Sequence, residues 1–226
     1  MTIDPHHVEP GGPVLTAVLA DGLTMIKFSV GPMDNNAYLI SAGPHAVLID
    51  AANDPDRLLE VVGATGPETV ITTHQHGDHW QGLAAVVTAR QPRLLAGRPD
   101  VEAIERGAGV NGITGVWDGD EIELGGYRLT VIGLVGHTPG SIALALTTGG
   151  GNAGESRTHL FTGDALFPGG PGKTRSTADF TNLVDDLETK IFGAFTDDTL
   201  VHPGHGDSTT LGAERPNLAH WRARGW

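Results

Sequence analysis

The chain has 226 residues, no cysteine, eleven histidines and a formal charge of −13. Without cysteine there is no disulfide, thiol nucleophile or thiolate ligand, so a metal here must sit on imidazoles and carboxylates. The acidic balance excludes a protein that wraps nucleic acid, because phosphate contacts need clustered Lys and Arg.

The first ten residues lack a basic region followed by an apolar run, and no segment is apolar for long enough to span a bilayer. A cytoplasmic protein without membrane contact is expected. The length fits one domain over residues 1–226. With 33 Gly and 14 Pro, short elements joined by tight turns are expected. Residues 24–30 and 37–41 read as strands. Residues 46–49 form a short apolar run ending at Asp50, and Pro55–Val62 has a helical pattern. Thr69–Thr72 reads as a buried strand, residues 80–89 as a helix, 93–96 as a strand and 99–104 as a short helix.

The second half carries more strand. Glu121–Leu124 and residues 127–134, 141–147 and 158–161 read as extended. The Gly-rich stretch 149–156 suggests an exposed hairpin loop. Residues 180–195 form the clearest helix, with Phe180, Leu183, Val184, Leu187, Ile191, Phe192 and Phe195 on one face. Ser176, Thr177 and Asp179 supply its N-terminal capping chemistry. A strand at 199–202 and a short helix at 213–221 close the chain. Each half therefore offers a sheet with helices, which points to an α/β class with two sheets packed together and helices outside.

The histidines are not scattered. His74-Gln75-His76-Gly77-Asp78-His79 follows directly on the run Val70-Ile71-Thr72-Thr73. A strand end is rigid and opens its side chains to a cleft, so His74 and His76 are expected to face one metal. Gly77 is expected to permit the turn that aims Asp78 and His79 at a second, with His79 opening the next helix. His137, Asp164 and His205 follow later strands, each beside a glycine that would allow close approach of an ion. Such a density of His and Asp is costly to bury without a ligand role. Imidazole and carboxylate donors suit zinc first, with iron or manganese as alternatives. Taken singly, His137 or His205 reads more readily as a surface or hydrogen-bonded histidine than as a ligand.

Together these residues resemble the metallo-β-lactamase superfamily. The resemblance rests on His-x-His-x-Asp-His at 74–79, Gly-His-Thr-Pro-Gly-Ser at 136–141, Thr-Gly-Asp at 162–164 and Pro-Gly-His-Gly at 203–206. Leu48-Ile49-Asp50 is similar to the early strand whose Asp supports the site from behind. Residues 209–215 are similar to the tail of the glyoxalase II-like, hydroxyacylglutathione hydrolase-like branch. The resemblance implies a four-layer αββα sandwich. It also implies that His74, His76 and His137 hold one of two divalent ions, that Asp78, His79 and His205 hold the other, and that Asp164 bridges them. A bridging Asp164 disfavours a true β-lactamase.

In the implied chemistry a metal-bridging hydroxide attacks, and Asp78 orients it and shuttles its proton. The resemblance favours a small-molecule thioester of the S-2-hydroxyacyl-thiol type. Lys173 and Arg175 are candidate contacts for the substrate's anionic groups, against the reading that they are solvated loop cations. Trp80 reads as core packing more than as a pocket wall. The alternatives are a lactone hydrolase of the acyl homoserine lactone type and a mononuclear-iron persulfide dioxygenase using residues that match His76, His137 and Asp164. One departure is visible: little chain follows His205, where glyoxalase II proper adds a helical domain that supplies much of the glutathione site. His6, His7, His45, His159, His202 and His220 are read as non-ligands, and the oligomeric state is left open.

Overall fold

In the computed structural model, which describes residues 7–64, 66–149 and 156–225, two sheets lie face to face with helices on both outer sides. The first sheet runs in chain order: β1 (Leu15–Ala20), β2 (Leu23–Val30), β3 (Asn35–Ala42), β4 (His45–Ile49), β5 (Thr69–Thr72), β6 (Arg93–Gly97) and β7 (Thr114–Val116). β1 to β4 pair antiparallel, whereas β4 to β7 pair parallel. Parallel neighbours need crossovers. Those crossovers carry α1 (Pro55–Val62), α2 (Leu83–Arg90) and α3 (Val101–Ala108).

The second half supplies β8 (Glu121–Leu124), β9 (Tyr127–Gly133), β10 (Ile142–Thr148) and β11 (Arg157–Gly163). A small hairpin of β12 (Leu166–Phe167) and β13 (Gly170–Pro171) follows, then α4 (Thr177–Asp186), β14 (Leu200–Pro203), β15 (Thr209–Thr210), α5 (Leu211–Glu214) and α6 (Leu218–Arg224). The second sheet has the order β15-β14-β11-β10-β9-β8. No described helix is long and apolar enough to cross a membrane.

The layering follows from the two-residue period of a strand. In β3, Tyr38 and Ile40 face the other sheet while Ala37 and Leu39 face the helices. In β4, Val47 and Ile49 go inward and Leu48 outward. In β10, Ile142, Leu144 and Leu146 go inward, and Ala143 and Ala145 meet the opposite helical layer. Three apolar cores result. One lies between the sheets, one under α1 to α3 through Leu58, Val62, Leu83, Val86 and Ile104, and one under α4 and α6 through Leu183 and Trp221. Three cores separate four layers, the αββα sandwich expected from the resemblance.

Several local expectations need correction. His79 does not open a helix. It ends a short 3-10 turn, Gly77–His79, and α2 begins at Leu83. Ser176 does cap α4, its hydroxyl accepting from the Asp179 amide at 3.1 Å. That α-helix stops at Asp186, and residues Leu187–Phe192 continue as a π-helical turn. The closing helix is two pieces, α5 and α6, separated by a 3-10 turn at Arg215–Asn217 that contains Pro216. β1, β7, β12, β13 and β15 lack strong apolar alternation and were not expected from the pattern. The Gly-rich loop expectation falls at 150–155 outside the described residues, while Thr148 and Arg157 on either side pair across β10 and β11.

Candidate metal centre

The strands that meet at one edge of the sandwich end in the residues of interest. β5 leads into His74–His79, β9 leads towards His137, β11 ends at Gly163 beside Asp164, and β14 ends at Pro203 before His205. The loops are stitched together across the two sheets. Asn36 Nδ2 donates to the Pro203 and Gly206 carbonyls at 3.0 Å each, and the Tyr38 hydroxyl donates to Pro203 O at 2.6 Å.

The seven side chains converge as two groups with one residue between them. His74 Nε2, His76 Nδ1 and His137 Nε2 form a triangle with edges of 3.1, 2.9 and 3.2 Å. Nitrogens ~2.1 Å from one tetrahedral ion would sit about 3.4 Å apart, so this triangle is close to a coordination face. In the second group, His79 Nε2 and His205 Nε2 are 3.2 Å apart, and Asp78 Oδ2 lies 3.6 and 3.3 Å from them. Asp164 spans both groups. Its Oδ1 is 3.3 Å from His79 Nε2, and its Oδ2 is 3.4 Å from His205 Nε2 and 3.6 Å from His137 Nε2. The triads His74/His76/His137, His74/His79/Asp164 and Asp78/His79/His205 each present ligand atoms close enough to hold one ion.

The tautomers are set from behind. His137 Nδ1–H donates to Lys173 O at 2.6 Å, and His205 Nδ1–H donates to Met33 O at 2.7 Å. His79 Nδ1–H donates to Asp50 Oδ2 at 2.8 Å. The Thr73 hydroxyl gives its proton to Asp50 Oδ2 at 2.9 Å, so it accepts from His74 Nδ1–H at 3.1 Å. Each of these four rings therefore turns its Nε2 lone pair into the centre. Asp50 stands behind two of them, and its Oδ1 also accepts from the Thr73 amide at 2.7 Å. Its backbone sits at φ 58°, a left-handed conformation that costs a non-glycine residue on the order of 1–2 kcal/mol. The carboxylate reaches all three donors from there.

Asp100 is a comparable support that the sequence did not signal. It is fully buried and accepts from Gln75 N at 2.9 Å, Thr138 Oγ1 at 2.6 Å and Gly140 N at 2.8 Å. It thus fastens the His74–His76 loop to the His137 loop. Burial raises its pKa against those three bonds.

The glycines act differently from the expectation. Gly77 is not at positive φ, and an added Cβ would meet Trp80 at an ordinary 3.6 Å. Gly136 makes room for α4, since a Cβ there would overlap the Asp179 carbonyl and press on Leu183. Gly204 does serve close approach at the centre. A Cβ there would overlap Asp164 Oδ1 and lie 2.6 Å from His79 Cε1.

The electrostatics divide the groups. Burial, first, holds His74, His76 and His137 below the usual histidine range, so they are neutral donors near pH 7. Burial also opposes charge on His79, but Asp50 and Asp164 outweigh it and raise the ring to about 10. Against burial, Asp164 and Asp78 likewise raise His205 to about 10. Hydrogen bonding to His205, first, lowers Asp78 well below the usual carboxylate range. Asp164 is also held well below it, its burial outweighed by His79 and His205. Two imidazole nitrogens 3.2 Å apart cannot both carry protons aimed at each other. This corner calls for a cation, and Asp164 Oδ1, buried with no hydrogen-bond partner, is open to one. The donor set fits divalent ions bound by imidazole and carboxylate.

The two expected substrate contacts line different cavities. Arg175 borders one of about 280 Å³ with Gln75, His137, Thr138 and Pro139, and it helps lower His76. Lys173 borders another of about 360 Å³ with Phe180 and Arg224. Trp80 is half-buried against the core under α1 to α3, and its indole donates to Gln75 O at 2.9 Å. His7, His45 and His220 are exposed, while His159 and His202 form a buried stacked pair away from the triads. His6 lies outside the described residues.

Comparison with known proteins agrees with this geometry. The family described as the metallo-beta-lactamase superfamily matches residues 30–205. A hydroxyacylglutathione hydrolase of Anaeromyxobacter dehalogenans is 35% identical over 196 residues, which cover 82% of this chain and 64% of that one. The chain thus spans less than two thirds of that relative's length. Among solved structures, ETHE1 from Myxococcus xanthus superposes with a TM-score of 0.69 at 28% identity, covering 88% of this chain and 84% of that one. TTHA1623 in a di-iron-bound form superposes at 0.65 with 29% identity, covering 84% and 96%.

Proposed function

This chain belongs to the metallo-β-lactamase superfamily of metal-dependent hydrolases, and from that membership we propose that it cleaves a thioester of the 2-hydroxyacyl-thiol type at a two-metal centre. The observation that carries the reading is Asp164. Its Oδ1 faces His79 of one group, its Oδ2 lies between His205 of that group and His137 of the other, and the buried Oδ1 has no hydrogen-bond partner among the described residues. A carboxylate so placed suits a bridge between two ions. When bound, a pair of divalent ions lowers the pKa of water to about neutrality and polarises the substrate carbonyl.

The chain's own residues supply the rest. His74, His76 and His137 hold one ion, Asp78, His79 and His205 hold the other, and Asp164 joins them. Asp50 and the Lys173 and Met33 carbonyls accept the Nδ1 protons, so Nε2 is the ring atom that would face an ion. Asp78 is ionised at neutral pH, so its carboxylate can accept a hydrogen bond from the attacking water and orient it. A thiolate leaves without strong acid assistance, which matches a site with no neutral acid among the seven residues. Arg175 lines a cavity with His137 and suits an anionic part of the substrate, with Lys173 as the second candidate in a separate cavity. The identity to a hydroxyacylglutathione hydrolase supports the acyl-thiol class. Zinc is the proposed ion, with iron as the alternative that the di-iron neighbour supports.

The test is a substrate comparison on protein reconstituted with zinc or with iron. S-lactoylglutathione and an acyl homoserine lactone are offered separately. Turnover of the thioester that is lost on chelation and restored by the ion is expected. Turnover of the lactone alone would replace the thioester reading. Oxygen uptake on a persulfide with one iron per chain would replace hydrolysis altogether.

A further inference from the structure

Asn35 opens β3 and is fully buried. Its Nδ2 donates to Asp78 Oδ2 and to the Asp78 carbonyl, both at 3.0 Å, and lies 3.5 Å from His205 Nε2. Its backbone also forms an antiparallel bridge with His205. One side chain thus touches two of the three residues in the Asp78/His79/His205 group. Turned over, its carbonyl oxygen would face two acceptor oxygens at 3.0 Å, so the donor must point at Asp78. The opposite atom, Oδ1, is buried without a hydrogen-bond partner among the described residues. An orphaned buried acceptor is destabilising, and here it accompanies an amide aimed at a carboxylate.

We propose that Asn35 is a positioning residue for the second ion. Its N–H group pins the Asp78 carboxylate so that Oδ2 faces His79 and His205. The χ2 torsion of an aspartate is soft, so an unheld carboxylate samples many orientations. Asn35 occupies one lone-pair direction of Oδ2 and leaves another for the ion. Orientation is then fixed before the ion arrives, and groups that hold a ligand in this way typically set metal affinity by 10–100-fold. The proposal rests on Asp78, His79 and His205 being ligands of one ion.

Asn36 supplies the control. It holds the loop that carries His205, through Pro203 O and Gly206 O, and its side chain donates to those carbonyls instead of to Asp78. If loop anchoring alone mattered, the two asparagines would behave alike.

The experiment titrates zinc into the metal-free full chain against a competing chelator, for the wild type, Asn35→Ala, Asn35→Leu and Asn36→Ala. Asn35→Leu keeps the branched outline of the side chain without its N–H donor, so it separates loss of the donor from loss of filled space. Thermal melting of each metal-free protein reads the fold separately, and cobalt(II) absorption reads the geometry of the second site. The expected result is a 10–100-fold weaker second ion in both Asn35 variants, with the first ion unchanged and the cobalt spectrum of the second site altered. Asn36→Ala lowers the melting temperature and weakens the second ion less than either Asn35 variant does. Two ions bound with wild-type affinities in the Asn35 variants would overturn the proposal. So would an equal loss of the second ion in Asn36→Ala. A wild type that takes up one ion overturns the ligand assignment and this role with it.

Discussion

The two halves of the centre share imidazole donors yet differ in charge. The His74/His76/His137 triangle holds three imidazoles that burial keeps neutral, with no carboxylate inside it. The Asp78/His79/His205 corner holds ionised carboxylates and two rings pulled up to about 10. The first half offers lone pairs, whereas the second demands positive charge. The difference comes from the carboxylates beside each ring: against burial, Asp50 and Asp164 raise His79, and Asp164 and Asp78 raise His205, which like His137 has only a backbone carbonyl behind it. Backbone and hydroxyl oxygens back His137 and His74, whereas the Asp50 carboxylate backs His79 directly.

Removing the residue that joins the halves should have the largest effect. Asp164→Ala is expected to lower hydrolysis by on the order of 10³-fold or more and to leave at most one ion per chain, read by metal analysis. Next come the ligands peculiar to each half. His137→Ala should empty the triangle and spare the corner, and His205→Ala should do the reverse. Equal loss of both ions in either variant would mean that the halves are not separable.

Asp50→Asn should sharpen the contrast. It removes the charge behind His79 and leaves His74 supported only through Thr73. A 10–100-fold loss at the corner is expected, with a smaller loss at the triangle, by zinc titration. Asp100→Asn should act in the opposite sense, loosening the loops of the triangle by up to about 10-fold.

A pH dependence separates the halves without any substitution. The triangle rings carry no proton to displace near neutrality, so zinc affinity there should be flat above pH 7. At the corner an ion must displace a proton held up to about 10, so affinity should rise as pH climbs from 6.5 towards 10. The metal-free protein should show the mirror image. A ring whose folded pKa is raised contributes stability that is fully present below its unfolded value near 6.5 and is lost as pH rises through about 10. Calorimetry in buffers of different ionisation enthalpy reads the released proton.

The fold and the site were legible in the sequence to different depths. The motif at 74–79 is visible because six consecutive positions on one loop carry four of the seven side chains. His137, Asp164 and His205 are solitary in the chain, and they meet only because β9, β11 and β14 end at the same edge. Asn35, Asp50 and Asp100 act through single carboxylates or amides whose partners lie 23 or more positions away, such as Asp50 to Thr73 and Asp100 to Thr138. Of these, only Asp50 left a trace, through the resemblance of its strand end. The strands read from apolar runs were found, whereas β1, with its partly exposed pattern, and the two-residue β12, β13 and β15 have too little periodicity to read. His79 was read as a helix start because its motif runs on into Trp80 and an apolar stretch. The 3-10 turn that interrupts this pattern is held by His79 N to His76 O at 3.1 Å, a bond that periodicity does not register.

The central claim is that the seven side chains hold two ions with Asp164 between them. Anomalous diffraction at the zinc edge, from crystals grown with the metal, tests it most directly. The account predicts two peaks per chain, one on the face formed by His74 Nε2, His76 Nδ1 and His137 Nε2, and one beside Asp78 Oδ2, His79 Nε2 and His205 Nε2. A single peak, or a second one away from Asp164, would contradict it.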